Sequence, residues 1–425
     1  MQKPGRPCWA SSRGLRPRGS ICGYTHPQAG RVSSTYWQVR LRPARSQNVP
    51  AAGPGAVSQR PDHESPGLRD FLSIFPHCAM PAGMSAPNSI CLLRLSALGD
   101  VCHCISTVRA IQRRWPEARL TWIIGKGEYR LVRDLPGVEF VVYDKRGGMT
   151  AFLELRRNLQ RRFDVLLHAQ VSTRANLIAL LVRADRRIGF DADRAREGHG
   201  LVISERIPAA NFQHQAEALL SFARTLGADT HGIDRAPPIR EDDREFAREH
   251  QPEPGRAVLI SPCSSHAARN WSVAGYAEVA DWVIEQTERP VILIGGPSEM
   301  EKRVGAEIES AMRHAPVNLI GKDTLGQSLA MLERAACLLA PDSGPVHFAA
   351  ALGTPVVGLY ASTWSRRSGP LGSLEHCVDR FPEACRKYLD REPEQVKWGK
   401  RIEKPGVMDL VEPAAVIERL ETVLG

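Results

Sequence analysis

Short runs rich in Val, Ile and Leu alternate with longer helical stretches from residue 89 onward, and the alternation starts afresh at residue 257. "SICLLRL", "ARLTWII", "EFVVYD" and "VLLHA" read as strands, with helices near 101 to 115, 149 to 162 and 174 to 183. A helix near 211 to 226 closes that half. The second half repeats the scheme through "AVLISP", "VILIGG", "VNLIG", "CLLA" and "PVVGLY", with helices near 273 to 288, 298 to 312, 325 to 335 and from 345. Apolar strands joined by helices demand a parallel sheet covered on both faces. The chain is therefore expected to be α/β, with two Rossmann-like, doubly wound domains facing each other across a cleft. The expected boundaries are 87–235 for the first domain, 236–252 for a polar linker and 253–425 for the second. The last helix, near 413 to 424, is a candidate to pack back on the first domain.

Residues 1–86 do not share this pattern: rich in Pro, Gly, Ser and Arg and without period, they read as a disordered leader, with Met80 or Met84 as the expected true start. This segment also explains the net charge of +9, because it holds 11 Lys/Arg against 3 Asp/Glu while the rest holds 45 against 44. A near-neutral body removes the main support for nucleic-acid binding. No stretch is apolar for the roughly 18 residues that a membrane span needs. Cys102 and Cys104 flank His103 on an apolar helix face without a second ligand pair, so they read as buried thiols in a reducing, cytoplasmic compartment and no metal is expected.

Ligands of open parallel sheets bind beyond the carboxyl ends of the strands. In "LLRLSALGDVCHC" the first strand runs into a short loop and then Asp100, at the head of a helix. An acid there serves either as a helix cap or as a general base facing the cleft. In the second half, "LLAPDSGPVHFAAALGTPVVGLY" puts Asp342, Ser343 and Gly344 in a turn before a helix that opens on Pro345, with His347 in its first turn. Such a helix start offers free N–H groups and a favourable dipole to a diphosphate, though an ordinary capped turn looks the same. "SPCSSHAARNWS" adds the hydroxyls of Ser264 and Ser265 and the guanidinium of Arg269. "GKGEYR" lacks the third Gly of a dinucleotide fingerprint and no Gly-Lys-Ser/Thr loop occurs, which disfavours a dehydrogenase or a kinase. Asp191 and Asp193 have a metal-holding spacing but read as a polar loop.

"RLSALGDV", "SSHAARNWS", "GGPSE" and "DSGPVHFAAALGTPVVGLY", in this order over about residues 89 to 370, resemble the bacterial ADP-heptose lipopolysaccharide heptosyltransferases, glycosyltransferase family 9, of the two-domain GT-B fold. "HAQVSTRANLIALL" and "GFDADRARE" are most similar to heptosyltransferase I, which acts on the Kdo of the inner core. The resemblance implies an inverting, metal-independent enzyme without a cofactor. Asp100 would be its general base, and Ser264, Ser265, Arg269, Asp342, Ser343, Gly344 and His347 would bind ADP-heptose. Glu299 would hold the adenosine ribose, with Glu301 as a rival one register away. Gly99, Arg174, Arg194 and Arg196 fall to the acceptor, Kdo-lipid A or inner-core lipopolysaccharide. Residues 126–196 hold 15 Lys/Arg against 9 Asp/Glu, which suits an anionic glycolipid met at the inner face of the inner membrane. Two departures stand out: Arg269, Asn270, Trp271 and Ser272 replace the family's Lys then Trp-Pro, and His168 replaces an acid. A related enzyme with another donor or acceptor, a non-catalytic binding protein and a Rossmann oxidoreductase are the rival readings.

Overall fold

The computed structural model describes residues 86–425, and the leader with both candidate start methionines lies outside the described residues. In the first domain six parallel strands form one sheet: β1 (Ser89–Leu93), β2 (Arg119–Gly125), β3 (Val138–Tyr143), β4 (Arg162–His168), β5 (Arg183–Gly189) and β6 (Glu205–Arg206), in the order β3-β2-β1-β4-β5-β6. Its helices are α1 (Leu98–Arg114), α2 (Lys126–Val132), α3 (Gly148–Asn158), α4 (Thr173–Leu181) and α5 (Gln215–Thr225). The second sheet is built from β7 (Val258–Ile260), β8 (Val291–Leu293), β9 (Val317–Asn318), β10 (Cys337–Pro341), β11 (Val356–Tyr360) and β12 (Val378–Asp379), in the order β12-β11-β10-β7-β8-β9. Read from its own first strand, this order repeats that of the first sheet. Around it lie α7 (Val273–Thr287), α8 (Glu299–Ala311), α9 (Leu325–Arg334), α10 (Gly344–Leu352), α11 (Ser365–Ser368), α12 (Phe381–Leu389) and α13 (Pro413–Leu424), while α6 (Glu241–His250) precedes β7.

The strand sequences explain the burial. Val258, Leu259 and Ile260 are all fully buried, because a strand covered on both faces has no polar side to alternate with. The largest apolar cluster is continuous between the domains, running from Ile90, Val101 and Ile105 to Leu338, Val346 and Phe348. Helix α1 packs on α10 and α2 on α9. Trp122 on β2 is fully buried and its Nε1–H donates to the carbonyl of Arg94 at 3.1 Å, tying the end of β1 to its neighbour.

Three elements differ from expectation. Helix α13 packs on α7 and β11 of the second domain, not back on the first. Its Val416 and Leu420 join the second domain's own apolar cluster, and that contact leaves α13 no apolar face to offer elsewhere. The polar stretch read as a linker contains α6, which packs on α9 and carries Arg240 to Asp134 of the first domain at 2.8 Å and Arg244 to Glu333 at 2.8 Å. The charged run "RADRRIG", unread as a strand, is β5; Arg186 pairs with Glu205 on β6 at 2.7 Å, so ion pairs there replace an apolar period.

Candidate active site

In each sheet the chain order reverses between its first and fourth strands, β1 and β4 in one and β7 and β10 in the other, and loops at such a point part to leave a crevice. The segments leaving these four strands carry Asp100, at the head of α1, and Gln170, Ser264 and Asp342 on loops. The switch points thus gather residues far apart in sequence.

Asp100 stands in the first turn of α1, whose N-cap is Ala97 and lacks a side-chain capping bond. The carboxylate does not supply one either: its Oδ2 accepts from Arg94 Nη2. The same guanidinium donates through Nη1 to the carbonyl of Ala169 just beyond β4. Arg94 is only 8% exposed at its side chain while Asp100 is 24% exposed, so a buried cation holds a carboxylate that still meets solvent. Gln170 Oε1 accepts the N–H groups of Leu95 and Ser96 at 2.7 and 3.3 Å. The loop presenting Asp100 is thereby fixed to the end of β4.

Across the crevice, Ser343 is the N-cap of α10 with extended backbone, yet its hydroxyl makes no capping bond and its Oγ is buried without a partner among the described residues. With Pro345 in the first turn, the leading N–H groups of α10 have no intrahelical acceptor. An orphaned hydroxyl beside free amides suits a phosphate. Arg269, on a 3-10 turn after β7, places Nη1 in an ion pair with Asp342 Oδ2 at 3.1 Å and donates from it to the Asp342 carbonyl at 3.2 Å. Burial lowers the guanidinium's pKa and the Asp342 carboxylate opposes that. Ser264 is buried with its N–H donated to Asn270 Oδ1 at 2.7 Å, whereas Ser265 is exposed. Asn270 thereby holds this loop in shape.

The two helix starts touch. A Cβ on Gly99 would lie 2.3 Å from His347 Cδ2, so only glycine lets α1 and α10 meet there. Gly99, read from sequence as an acceptor residue, is buried under the second domain's His347. The His347 ring also stacks edge-on against His103 at 4.6 Å, and its Nδ1 is buried without a partner among the described residues. Burial lowers the pKa of His347, and burial beside His347 and His214 lowers that of His103 strongly. His214 bonds to the carbonyl of Gly369 at 3.0 Å across the domain boundary. The thiols of Cys102 and Cys104 are buried, which pushes each up to about 12.

Sequence reasoning missed Arg94 and Arg367. Arg367, from α11, is half-buried; burial lowers its pKa while the Asp100 and Asp342 carboxylates both act to raise it. It therefore stands within electrostatic reach of the key acid of each domain. The sequence signal was the pair "RR" in "WSRRSG", of which Arg366 instead lies 5.7 Å over the rings of Phe212 and Trp364.

Glu299 is not brought into this group: its side chain is 90% exposed and pairs with Lys302 at 3.0 Å. Glu301 turns inward, accepting from Gly296 N–H at 2.9 Å and from the Ser298 hydroxyl at 2.6 Å. Arg194 is committed to its own loop, pairing with Asp191 and donating to Gln213 Oε1 at 2.7 Å, so Asp191 closes a polar turn. Arg196 is exposed and acts on Arg367 through space. Arg174 lines a pocket of about 450 Å³ beside the Asp100 loop, together with Leu95, Ser96, Lys145, Arg146 and Gln170. Arg174, Lys145 and Arg146 have no ion-pair partner among the described residues. His168 lies buried beside this region; its Nε2–H donates to Asn176 Oδ1 at 2.9 Å and burial pushes its pKa down to about 3. Among the described residues no three His, Cys, Asp or Glu side chains cluster as a metal site.

Residues 152–398 match glycosyltransferase family 9 (heptosyltransferase). The lipopolysaccharide core heptosyltransferase OpsX of Haemophilus influenzae is 34% identical over 348 residues, covering 80% of this chain and 99% of its own. Lipopolysaccharide heptosyltransferase 1 of Pseudomonas aeruginosa is 25% identical, covering 79% and 98%. Among solved structures, a family 9 glycosyl transferase from Veillonella parvula superposes with a TM-score of 0.64 at 20% identity, over 79% of this chain and 97% of its own. The E. coli heptosyltransferase WaaC with ADP gives 0.60 at 17%, over 79% and 99%, and these two likenesses establish the fold. A chain that matches the family over more than half its length, and aligns with OpsX along nearly all of that relative, belongs to glycosyltransferase family 9, the heptosyltransferases.

Proposed function

We propose that this enzyme moves heptose from ADP-heptose to the Kdo of inner-core lipopolysaccharide in a single inverting displacement that needs no metal. The observation that carries this reading is the meeting of the α1 and α10 starts at Gly99 and His347, which sets Asp100 beside the Asp342–Gly344 turn. The acceptor occupies the cationic pocket by Arg174, and its hydroxyl faces Asp100. As the acceptor oxygen bonds to the anomeric carbon, the bond from that carbon to the β-phosphate oxygen breaks on the opposite face, and Asp100 takes the hydroxyl proton. Charge gathering on departing ADP meets the N–H groups of α10, the free Ser343 hydroxyl and Arg367. Arg269 holds Asp342 and shapes the turn from behind. For the ribose, Glu301 is the better placed of the two acids, because its carboxylate already lies over the loop after β8. We place the enzyme in the cytoplasm, in peripheral contact with the inner membrane where its acceptor is anchored; among the described residues no helix is long and apolar enough to cross a membrane.

Incubation with ADP-heptose and Kdo-lipid A in the presence of a chelator tests this. Release of ADP with one added heptose in the product mass is expected. ADP-heptose left intact, or turnover that stops on chelation, contradicts it.

A further inference from the structure

Helices α3 and α4 cover the same face of the first sheet. Ala151 and Leu155 of α3 share one apolar cluster with Ala175, Ile178 and Ala179 of α4 and with Val202. Their outer sides are unusual for a soluble surface. Met149 and Leu153 on α3 are 71% and 45% exposed, Leu177 and Leu180 on α4 are 52% and 62% exposed, and Leu201, in the turn after the segment that Asn176 and Thr173 of α4 bind, is 88% exposed. Residues 149 and 153 lie at i and i+4, and 177 and 180 at i and i+3, so each helix bears a short apolar stripe. Several exposed apolar side chains on one face of a sheet mark an interaction site.

The charge around the stripes identifies what meets them. Arg156 and Arg157 on α3 and Arg183 after α4 have no acidic partner among the described residues, and Arg174 begins the α4 stripe. Leu and Met knobs ringed by unpaired Arg suit the headgroup layer of an anionic bilayer, where the apolar tips sink and the guanidinium groups meet phosphate. The face is also continuous with the pocket: Lys145 and Arg146 precede α3, Arg174 opens α4, and all three line the cavity beside the Asp100 loop. We propose that the outer face of α3, α4 and the turn at Leu201 is the surface by which the enzyme docks on anionic phospholipid. This rests on the reading that the acceptor is lipid-anchored. Docking here puts the mouth of the pocket at headgroup height, so a membrane-bound sugar reaches Asp100 without leaving the bilayer.

Flotation of the full chain with phosphatidylethanolamine–phosphatidylglycerol vesicles, which contain no acceptor, reads docking alone. Binding to these vesicles and roughly tenfold weaker binding to phosphatidylcholine vesicles are expected. The variant Leu177→Gln/Leu180→Gln/Leu201→Gln should lose about tenfold in partitioning, and Arg156→Gln/Arg157→Gln a similar factor, with unchanged melting temperature and unchanged turnover on a water-soluble, deacylated acceptor. Should the leucine variant misfold, the arginine variant alone decides. Wild-type partitioning in both variants overturns the proposal. So does a concentration-dependent dimer that the leucine variant abolishes while vesicle binding persists, since the face would then join two copies of the chain. Failure of wild type to turn over the deacylated acceptor, with vesicle binding intact, would instead count against the transfer reading.

Discussion

Arg94 leaves the sheet to bind Asp100 and the carbonyl of Ala169, and among the described residues it is the one hydrogen-bond partner that turns the Asp100 carboxylate away from the N–H groups of α1. Arg94→Met should therefore lower kcat by roughly 10- to 100-fold, the worth of a charge-assisted bond, while KM for the donor moves less than about threefold. Steady-state kinetics with both substrates varied checks this, and an unchanged kcat would mean that Asp100 positions itself. Arg269 gives a different forecast. One of its nitrogens makes both contacts to Asp342, so an ammonium can replace the fork. Arg269→Lys should retain most activity; Arg269→Ala leaves a buried carboxylate unpaired and should cost about 3 kcal/mol of stability as well as donor affinity. Calorimetry and ADP titration on the two variants separate these effects, and equal losses in both would contradict the argument. Asp100, Arg269, Asp342 and His347 were legible in the sequence because each follows an apolar run that ends in a loop. Arg94 and Arg367 were not: a lone Arg closing a strand and one of two adjacent arginines carry no periodic sign of which way they point.

Among the elements, the contact of α1 with α10 depends on an absent side chain. Gly99→Ala drives a methyl into His347, and overpacking of this kind costs about 1–3 kcal/mol. The melting temperature should fall, and Gly99→Ala/His347→Ala should recover most of it without recovering turnover. No recovery in the double variant would show that the strain lies elsewhere. Element recognition from sequence succeeded where burial is two-sided or helical period is strong, as in β7, β10, α7 and α9. It missed β5, whose Arg187 side chain donates to the carbonyls of Val182 and Val202 at 2.7 and 2.8 Å, so that a charged residue does the tying that apolar packing does elsewhere. It missed α6 because that helix buries only Ala247 fully, with Phe246 half-buried against the core, and its other side chains are polar or charged. Neither arrangement leaves an apolar pattern in the local sequence.

At the scale of the molecule, buried neutral histidines link stability to pH. Burial pushes His168 down to about 3 and His214 to about 4, below the 6.5 of the unfolded chain. The unfolded state binds more protons between those values, so this stability is full above pH about 6.5 and is lost as the pH falls toward about 4. Each should contribute about 1–2 kcal/mol less at pH 5 than at pH 7.5, lowering the melting temperature by at least about 3 °C. His168→Gln should remove its share of that dependence, and scanning calorimetry at the two pH values reads it; a flat wild-type profile would contradict the burial argument. The twofold Rossmann plan was legible because it follows from a repeated alternation, while the junction around His103, His214 and His347 was not, since it joins residues from both domains. All of this organisation serves one claim, that the junction sets a base from one domain against a leaving diphosphate held by the other. Asp100→Asn tests it most directly, because an amide keeps the shape and one acceptor oxygen for Arg94 but cannot take a proton. The account predicts unchanged melting temperature and ADP affinity with heptose transfer slower by roughly 100-fold or more. Transfer at the wild-type rate would contradict it.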